Sequence, residues 1–303
     1  MIHGGLQSFS QFISNYLPGK IQKISINAGF TCPNRDGSKG TGGCIYCNNA
    51  SFSPDYTKLR RSVTEQLEEG KRFFARKYPN MQYLAYFQSY TSTNGPIDQV
   101  ISMIEEALTV ESILGIIIGT RPDCMPETLL QYLRELSQRK FVMVEYGAET
   151  ANDFTLELIN RCHSWEDTVN AVNRTTKAGI PVGLHFILGL PGESIADMMT
   201  TIERVNTLPV STLKFHQLQI ISGTRLAREY EQQKWHIEQF TPESYADLCC
   251  QILEHLREDI SVERFVSQAP DNLLISPRWG LKNYQFADIL RRKIAERSNN
   301  SNA

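Results

Sequence analysis

The feature that most constrains the fold of this chain is a regular alternation of strand-like and helix-like segments. Helical patterns lie between the strands; one of them, opened by Pro126, places Leu129, Leu130 and Leu133 on one face. Parallel strands require this arrangement, because each return crossover takes a dozen or more residues. The alternation therefore predicts six parallel βα units. Their strands are residues 20–27, 83–87, 114–118, 141–146, 182–188 and 212–220.

Six units are fewer than the eight that close a full barrel. The pattern is compatible with two α/β architectures, an incomplete barrel and an open doubly wound sheet. Beyond the sixth unit the alternation changes, since residues 262–268 resemble one more strand and residues 284–297 a terminal helix. We therefore predict an N-terminal segment (1–19), a core (20–258) and a short C-terminal extension that packs on the core (259–303).

Composition narrows the classes of function. The formal net charge of −2 over 303 residues gives no support for a large nucleic-acid-binding surface. Residues 58–61 form a local basic run, for which we favour a solvated helix start over a phosphate contact. We find neither a signal-peptide pattern nor an apolar run long enough to span a membrane, and we expect a cytoplasmic protein. In that compartment the seven cysteines stay as thiols or metal ligands.

Three of these cysteines, Cys32, Cys44 and Cys47, lie in one loop directly after the first strand. The loop is rich in glycine and small polar residues, which allows the backbone to wrap around a bulky group. It also lies at the carboxyl end of a strand, where βα folds build their sites. Three thiolates can hold three corners of a 4Fe-4S cluster and leave the fourth iron open.

Two other interpretations of the cysteines stay open. Zinc is the first, because Cys44 and Cys47 form a Cys-x-x-Cys half-site, although no second such pair or His pair follows at zinc-finger spacing. The second is a set of unliganded thiols, which the glycine-rich setting disfavours. On spacing alone the sequence favours the iron–sulfur cluster over zinc.

Polar and glycine residues gather at the other strand ends. Glu149 lies beyond the fourth strand beside Gly147, and its carboxylate suits a pair of ribose hydroxyls. Others have plain structural explanations: Glu193 can stabilise a helix N-terminus, Asp123 can cap a helix, and His185 can be a core histidine. Because polar and glycine residues occur at the ends of several strands, the sequence predicts a binding site at that end of the sheet. These ends are residues 88–92, 119–123, 145–150 and 189–193, with His185, Lys214 and His216 inside the last two strands.

The cysteine loop, with an aromatic residue between its last two cysteines, resembles the cluster loop of radical S-adenosylmethionine (SAM) enzymes. Eleven residues separate Cys32 from Cys44, more than in the commonest version, and this spacing resembles that of the Elongator catalytic subunit and its relatives. The likeness continues at residues 119–123, 160–164 and 189–193. Nearly the whole chain is similar to a narrower bacterial family of the YhcC/YtqA type.

The resemblance implies a partial (βα)6 TIM-like barrel and an enzyme that binds a 4Fe-4S cluster and SAM. Electron transfer from the cluster would cleave SAM, and the resulting 5′-deoxyadenosyl radical would act on an unidentified substrate, an RNA base or a small metabolite. A reducing partner such as flavodoxin or ferredoxin is implied too. The implied cluster ligands are Cys32, Cys44 and Cys47, and the implied SAM contacts are Tyr46, Gln88, Ser89, Glu149, Arg161, Gly189 and Leu190.

A second function, of a different class, is a non-catalytic iron–sulfur or zinc protein that senses redox state or binds a partner. Such a sensor needs the metal but no SAM pocket. The polar residues retained at several strand ends therefore favour the enzyme.

Overall fold

The computed structural model describes residues 8–51, 53–57, 61–76, 81–235 and 237–300. Most of the basic run at residues 58–61 lies outside the described residues.

A seven-stranded parallel sheet forms the centre of the fold, in the order β1-β2-β3-β4-β5-β6-β8. Two very short strands, β7 and β9, pair with each other in antiparallel fashion beside it. The strands are β1 (Ile21–Ile26), β2 (Gln82–Phe87), β3 (Ile113–Thr120), β4 (Phe141–Glu149), β5 (Val182–Leu188), β6 (Thr212–Gln217), β7 (Ile220–Ile221), β8 (Ser261–Arg264) and β9 (Leu274–Ser276).

Ten helices accompany the strands within the described residues, and most of them form the crossovers between neighbouring strands. Together with the curled sheet they form the partial TIM-like barrel that the resemblance implied. The helices are α1 (Phe9–Ser14), α2 (Val63–Ala75), α3 (Ile97–Thr109), α4 (Glu127–Leu136), α5 (Asp153–Leu158), α6 (Trp165–Lys177), α7 (Ile195–Asn206), α8 (Arg225–Glu231), α9 (Pro242–His255) and α10 (Asn283–Asn300).

The additional strand predicted at residues 262–268 is present, since β8 pairs with β6 and is the seventh strand of the sheet. One detail of the predicted strands is wrong. The sixth predicted strand, residues 212–220, ends at Gln217, and Ile220–Ile221 belongs to a separate short strand. The three-part division at residues 19 and 258 stays a prediction.

Local sequence explains where the crossover helices begin. Ser62, Ser164, Ser194 and Thr241 each cap a helix, and the third helical residue closes a reciprocal hydrogen bond back to the cap. Each helix then buries an apolar face on the outside of the sheet. In α4 the buried side chains are Leu129, Leu130 and Leu133, which the periodicity predicted, together with Leu136.

The inner face of the sheet is divided into an apolar lower part and a polar upper part. Below, the short helix α1 inserts Phe12 and Ile13 among side chains of the sheet such as Ile117 and Met143. Above this group the inward positions become charged, beginning with Lys23 on β1. No helix in the described ranges is long and apolar enough to span a membrane.

The barrel stays open between its edge strands, β1 and β8, which do not pair with each other. An ion pair between Lys23 on β1 and Glu263 on β8 joins these edges. The gap therefore gives access to the inner face without separating the two edges.

We predict that Gly115→Ala on β3 strongly destabilises the fold. An added Cβ would lie 2.1 Å from the carbonyl oxygen of Phe141 on β4, and backbone in a central sheet cannot move aside. We expect a loss of roughly 3 kcal/mol or more in the free energy of unfolding, measured with urea. Gly179→Ala is the control: open space surrounds that residue, so only its positive φ adds strain, about 1 kcal/mol. Equal losses would contradict the steric explanation.

Candidate functional site

The inner face and the carboxyl ends of the strands enclose a cavity of about 1430 Å³. Its upper wall is the loop that carries Cys32, Cys44 and Cys47, and all three cysteines line it. Cys32 and Cys44 are buried, while Cys47 is half-buried. The sequence placed these thiols in one loop, and the structure places them on one cavity wall.

Backbone hydrogen bonds shape the cysteine loop. The carbonyl oxygen of Cys32 accepts from the amides of Arg35 and Asp36, at 2.7 and 3.1 Å. The amide of Cys47 donates to the carbonyl of Cys44 at 3.0 Å, which forms a tight turn. From the other side of the site, the Asn160 side-chain amide donates to the carbonyl oxygens of two loop residues, Thr41 at 3.1 Å and Gly43 at 2.8 Å. The loop is thus fixed at both ends.

Cations and amides surround the thiols. Arg161 Nη1 lies 3.5 Å from Cys44 Sγ, and Asn34 Nδ2 lies 3.7 Å from the same sulfur. Burial, and then the neighbouring Cys44, raise the pKa of the Cys47 thiol to about 11. A metal ion overcomes such a shift, since a coordinated thiol loses its proton. Arg161 then supplies a positive charge beside the sulfur ligands.

The residues present fit an iron–sulfur cluster with a bound organic ligand. Three thiols facing one cavity form the donor set that a cubane with one open corner requires. The Tyr46 hydroxyl, on the same wall, is buried and has no hydrogen-bond partner within the described part of the chain. The described residues include no group of three His, Cys, Asp or Glu side chains placed to hold a single metal ion. In a cubane each thiolate binds its own iron, so its ligands do not converge on one point.

Glu149 and Arg161 form an ion pair on the cavity wall, with Glu149 Oε1 3.2 Å from Arg161 Nη2. A register shift in β4 between Gly147 and Glu149, with φ of +68° at Glu149, lets both residues line the cavity. Arg161 Nη2 also donates to the carbonyl of Gly147 at 2.6 Å. A Cβ on Gly147 would lie 2.7 Å from both Arg161 Nη2 and Glu149 Oε1, so only glycine leaves room for this pair.

Four charged residues form the floor of the cavity, and we call them the floor quartet: Glu145 and Lys214, which are buried, and Lys23 and Glu263, which are half-buried. Glu145 Oε1 lies 2.9 Å from Lys23 Nζ, and its Oε2 lies 2.5 Å from Lys214 Nζ. Burial alone would raise the pKa of Glu145, but Lys214 and Lys23 hold it well below its usual value. Burial lowers the pKa of Lys214 to about 8 against the opposing effect of Glu145.

Three residues of this floor were not predicted from the sequence. Lys23, Tyr86 and Glu263 line the cavity, and the Tyr86 hydroxyl accepts from Lys214 Nζ at 3.1 Å. The alternation of side chains along a strand could have indicated two of them, because Lys23 and Tyr86 carry polar groups and lie on the same face of the sheet. The sequence alone did not say which face of each strand is the inner one.

The predicted site residues divide into two groups. Tyr46, Gln88, Glu149 and Arg161 line the cavity together with the three cysteines, and so do His185, Lys214 and His216. Ser89, Gly189 and Leu190 are not among its lining residues. Ser89 is buried, the Gly189 amide donates to Met198 Sδ at 3.3 Å, and Leu190 packs in an apolar group with Ile45.

Glu193 and Asp123 also lie outside the cavity lining. Asp123 pairs with Arg121 Nε at 2.9 Å and with Lys39 Nζ at 2.7 Å, so its carboxylate links the cysteine loop to the end of β3. Glu193 is buried and accepts a hydrogen bond from the Thr150 hydroxyl. Burial raises the pKa of Glu193 to about 7.

Glu193 gives the fold a pH dependence. Because the pKa is raised in the folded protein, the wild type is most stable below the unfolded value of about 4.5 and loses stability as pH rises towards 7. Glu193→Gln removes this loss, so the stability of the variant relative to the wild type should increase between pH 5 and pH 8, by on the order of 3 kcal/mol. Urea unfolding at both pH values measures it. Glu203→Gln, on the exposed side of α7, should show no such change; a flat difference for Glu193→Gln would contradict the assignment.

Comparisons with known proteins agree with this geometry. The Radical SAM superfamily matches residues 31–205, which is more than half of the chain, and the Radical_SAM C-terminal domain matches residues 210–296. YtqA of Bacillus subtilis (strain 168) is 34% identical over 279 residues, covering 92% of this chain and 86% of YtqA. YhcC of Escherichia coli (strain K12) is 36% identical over 261 residues, covering 86% of this chain and 82% of YhcC.

A solved structure shares the fold. Elp3 of Methanocaldococcus infernus, with an N-terminal deletion, superposes with a TM-score of 0.70 over 93% of this chain, at 15% sequence identity. This chain spans 64% of the length of that protein, so the likeness concerns the barrel fold alone. The family matches, with three cysteines on one cavity wall, lead to one conclusion: the chain belongs to the radical SAM superfamily, whose members use a 4Fe-4S cluster and S-adenosylmethionine.

Proposed function

We propose that this chain cleaves SAM reductively and uses the 5′-deoxyadenosyl radical to abstract a hydrogen atom from a substrate held in the cavity. One observation carries the proposal: the three cysteine thiols, the Glu149–Arg161 pair and the unpartnered Tyr46 hydroxyl line the same cavity. When bound, the cluster supplies one electron to SAM, which yields methionine and the radical. The chain's own residues bind, orient and exclude water.

In this proposal Cys32, Cys44 and Cys47 would hold three irons of the cluster and leave the fourth iron for SAM. Arg161 provides a positive charge for the SAM carboxylate while it stays anchored to the Gly147 carbonyl. The Glu149 carboxylate would accept hydrogen bonds from the ribose hydroxyls, and Tyr46 would lie near the adenine. The Gln88 side chain lines the cavity from the end of β2, where it can meet the SAM amino group.

The substrate would lie between the cysteine loop and the floor quartet. Within the described part of the chain, eight lysine and arginine residues line the cavity against four glutamates, although the whole chain carries a net charge of −2. This excess favours a substrate with negative charge, either a phosphate-bearing RNA base or an anionic small metabolite. A cytoplasmic location and a reductant such as flavodoxin or ferredoxin belong to the same proposal.

The alternative of a non-catalytic iron–sulfur or zinc sensor has less support. A sensor needs the cysteine loop but has no use for a large cavity with a charged floor below it. Burying the floor quartet costs desolvation free energy, which a purely structural core of apolar residues would avoid.

Loss of one cluster ligand tests the enzyme proposal. After anaerobic reconstitution with iron and sulfide, reduction with dithionite in the presence of SAM should produce 5′-deoxyadenosine, and Cys47→Ala should reduce this product to background. Cys162→Ala is the matched control, because that thiol is exposed beside the same loop and does not line the cavity; it should retain both the cluster and the product. Wild-type protein that binds zinc and no cluster under these conditions would contradict the proposal.

The room left by Gly147 tests the placement of SAM. In Gly147→Ala the added methyl group displaces the side-chain ends of Arg161 and Glu149, which are flexible, so the fold should survive. We expect the Kd for SAM of the reconstituted, oxidised protein to rise about tenfold, equivalent to about 1.4 kcal/mol. Isothermal titration calorimetry measures it, with Gly179→Ala as the control far from the cavity. An unchanged Kd would contradict the proposal that Glu149 and Arg161 contact SAM.

A further inference from the structure

Two histidines stand side by side on the inner face of the barrel. His185 on β5 and His216 on β6 both line the cavity, with ring centroids 6.0 Å apart. Their neighbours in the charged floor fix the position of the proton on each ring. The two rings therefore present defined hydrogen-bonding atoms to whatever occupies the cavity.

The tautomer of His185 is fixed by Glu145. His185 Nε2 lies 2.9 Å from Glu145 Oε2, and this carboxylate also accepts from Lys23 and Lys214. An ionised carboxylate only accepts, so His185 Nε2 carries the hydrogen. Burial, and then Lys214, lower the pKa of His185, which keeps the ring neutral. Its Nδ1 is therefore a bare acceptor.

The tautomer of His216 is the opposite. Arg264 Nη2 lies 3.3 Å from His216 Nε2, and a guanidinium has no acceptor atom, so the imidazole nitrogen must accept. Burial, and then Arg264, lower the pKa of His216 well below its usual value, which keeps this ring neutral as well. The single hydrogen of the ring is therefore on Nδ1, which is a donor.

The charged side chains next to the histidines have partners of their own. Lys23 and Lys214 pair with Glu145 and Glu263, and Arg264 donates to His216. In contrast, neither histidine Nδ1 has a hydrogen-bond partner among the residues the structure describes. The two rings therefore add one neutral acceptor and one neutral donor to the charged groups of the floor.

We propose that His185 and His216 bind a cyclic amide or imide group of the substrate, with its N–H donating to His185 Nδ1 and its C=O accepting from His216 Nδ1–H. A cyclic amide holds its N–H and C=O on the same edge, which suits two rings whose centroids are 6.0 Å apart, whereas an open-chain trans amide directs them to opposite sides. A carboxylate or phosphate has no N–H for His185. Glu145 and Arg264 act as positioning residues, since they set the tautomers without touching the group. The inference rests on the proposed function in that this group belongs to the substrate of the radical.

Nitrogen-15 NMR of the reconstituted, oxidised protein with labelled histidine tests the proposal without any turnover. Two-bond ¹H–¹⁵N spectra at pH 7, assigned with His185→Gln and His216→Gln, should show the Nε2–H tautomer for His185 and the Nδ1–H tautomer for His216. A doubly protonated ring or the other tautomer at either position would overturn the proposal.

The ligand class is tested with uracil as an imide and 2-pyrrolidone as a lactam. Both, at millimolar concentration, should shift the resonances of His185 and His216, while 1,3-dimethyluracil, which has the same ring and no N–H, should shift them at least tenfold less. Equal shifts with dimethyluracil, or a response only to inorganic phosphate, would overturn the assignment. Formation of 5′-deoxyadenosine is assayed separately. If the histidine resonances do not respond to the ligands, the radical SAM proposal still stands. If no 5′-deoxyadenosine forms, the ligand-induced shifts can still be interpreted.

A pair of conservative variants tests the positioning role. Glu145→Gln, whose amide can donate to His185 Nε2, should move the His185 hydrogen to Nδ1 and weaken the uracil-induced shifts about tenfold. Glu263→Gln changes the same floor quartet without touching His185, and it should leave that tautomer unchanged. An identical response of both variants would contradict the role of Glu145, and the wild-type tautomers decide the proposal if either variant fails to fold.

Discussion

The buried carboxylate of Glu145 is the interaction on which the inner structure of this barrel depends. Its two oxygens accept from Lys23 on β1, Lys214 on β6 and His185 on β5, while Glu145 itself is on β4. Such a charge is tolerated in the interior only when its partners stay in place, and removal of one partner typically costs several kcal/mol. The Glu145 side chain therefore connects β4 to β1, β5 and β6, although β1 is not hydrogen-bonded to any of the other three strands.

This arrangement also explains why an incomplete barrel keeps its shape. The edge strands β1 and β8 share no backbone hydrogen bonds, so the gap between them could widen. Lys23 contacts Glu145 inside the barrel and Glu263 across the gap, and α1 fills the lower interior with apolar side chains. The lower end of the barrel is thus filled by the apolar side chains around α1, and the Lys23–Glu263 ion pair connects its edge strands above them. The upper end, which carries the cysteine loop, stays open.

The cavity combines two environments with different tasks. At its upper wall the cysteine loop, Arg161 and Glu149 form a strongly polar surface suited to the cluster and SAM that the family uses. At its floor the charges are mutually paired, and the two histidines next to them are neutral. In the proposed reaction, a radical formed between these surfaces would meet a substrate held by the two neutral histidines.

The sequence by itself determined the alternation of strands and helices along the chain and the loop that carries Cys32, Cys44 and Cys47, because these depend on local periodicity and spacing. It also indicated Glu149 and Arg161, through motif position. Only the tertiary structure decided that β8 joins the sheet and that Lys23, Glu145 and Glu263, from distant strands, meet in one floor. A contact between residues more than a hundred positions apart leaves no local pattern, and the inner face of each strand is defined only once the sheet has curled.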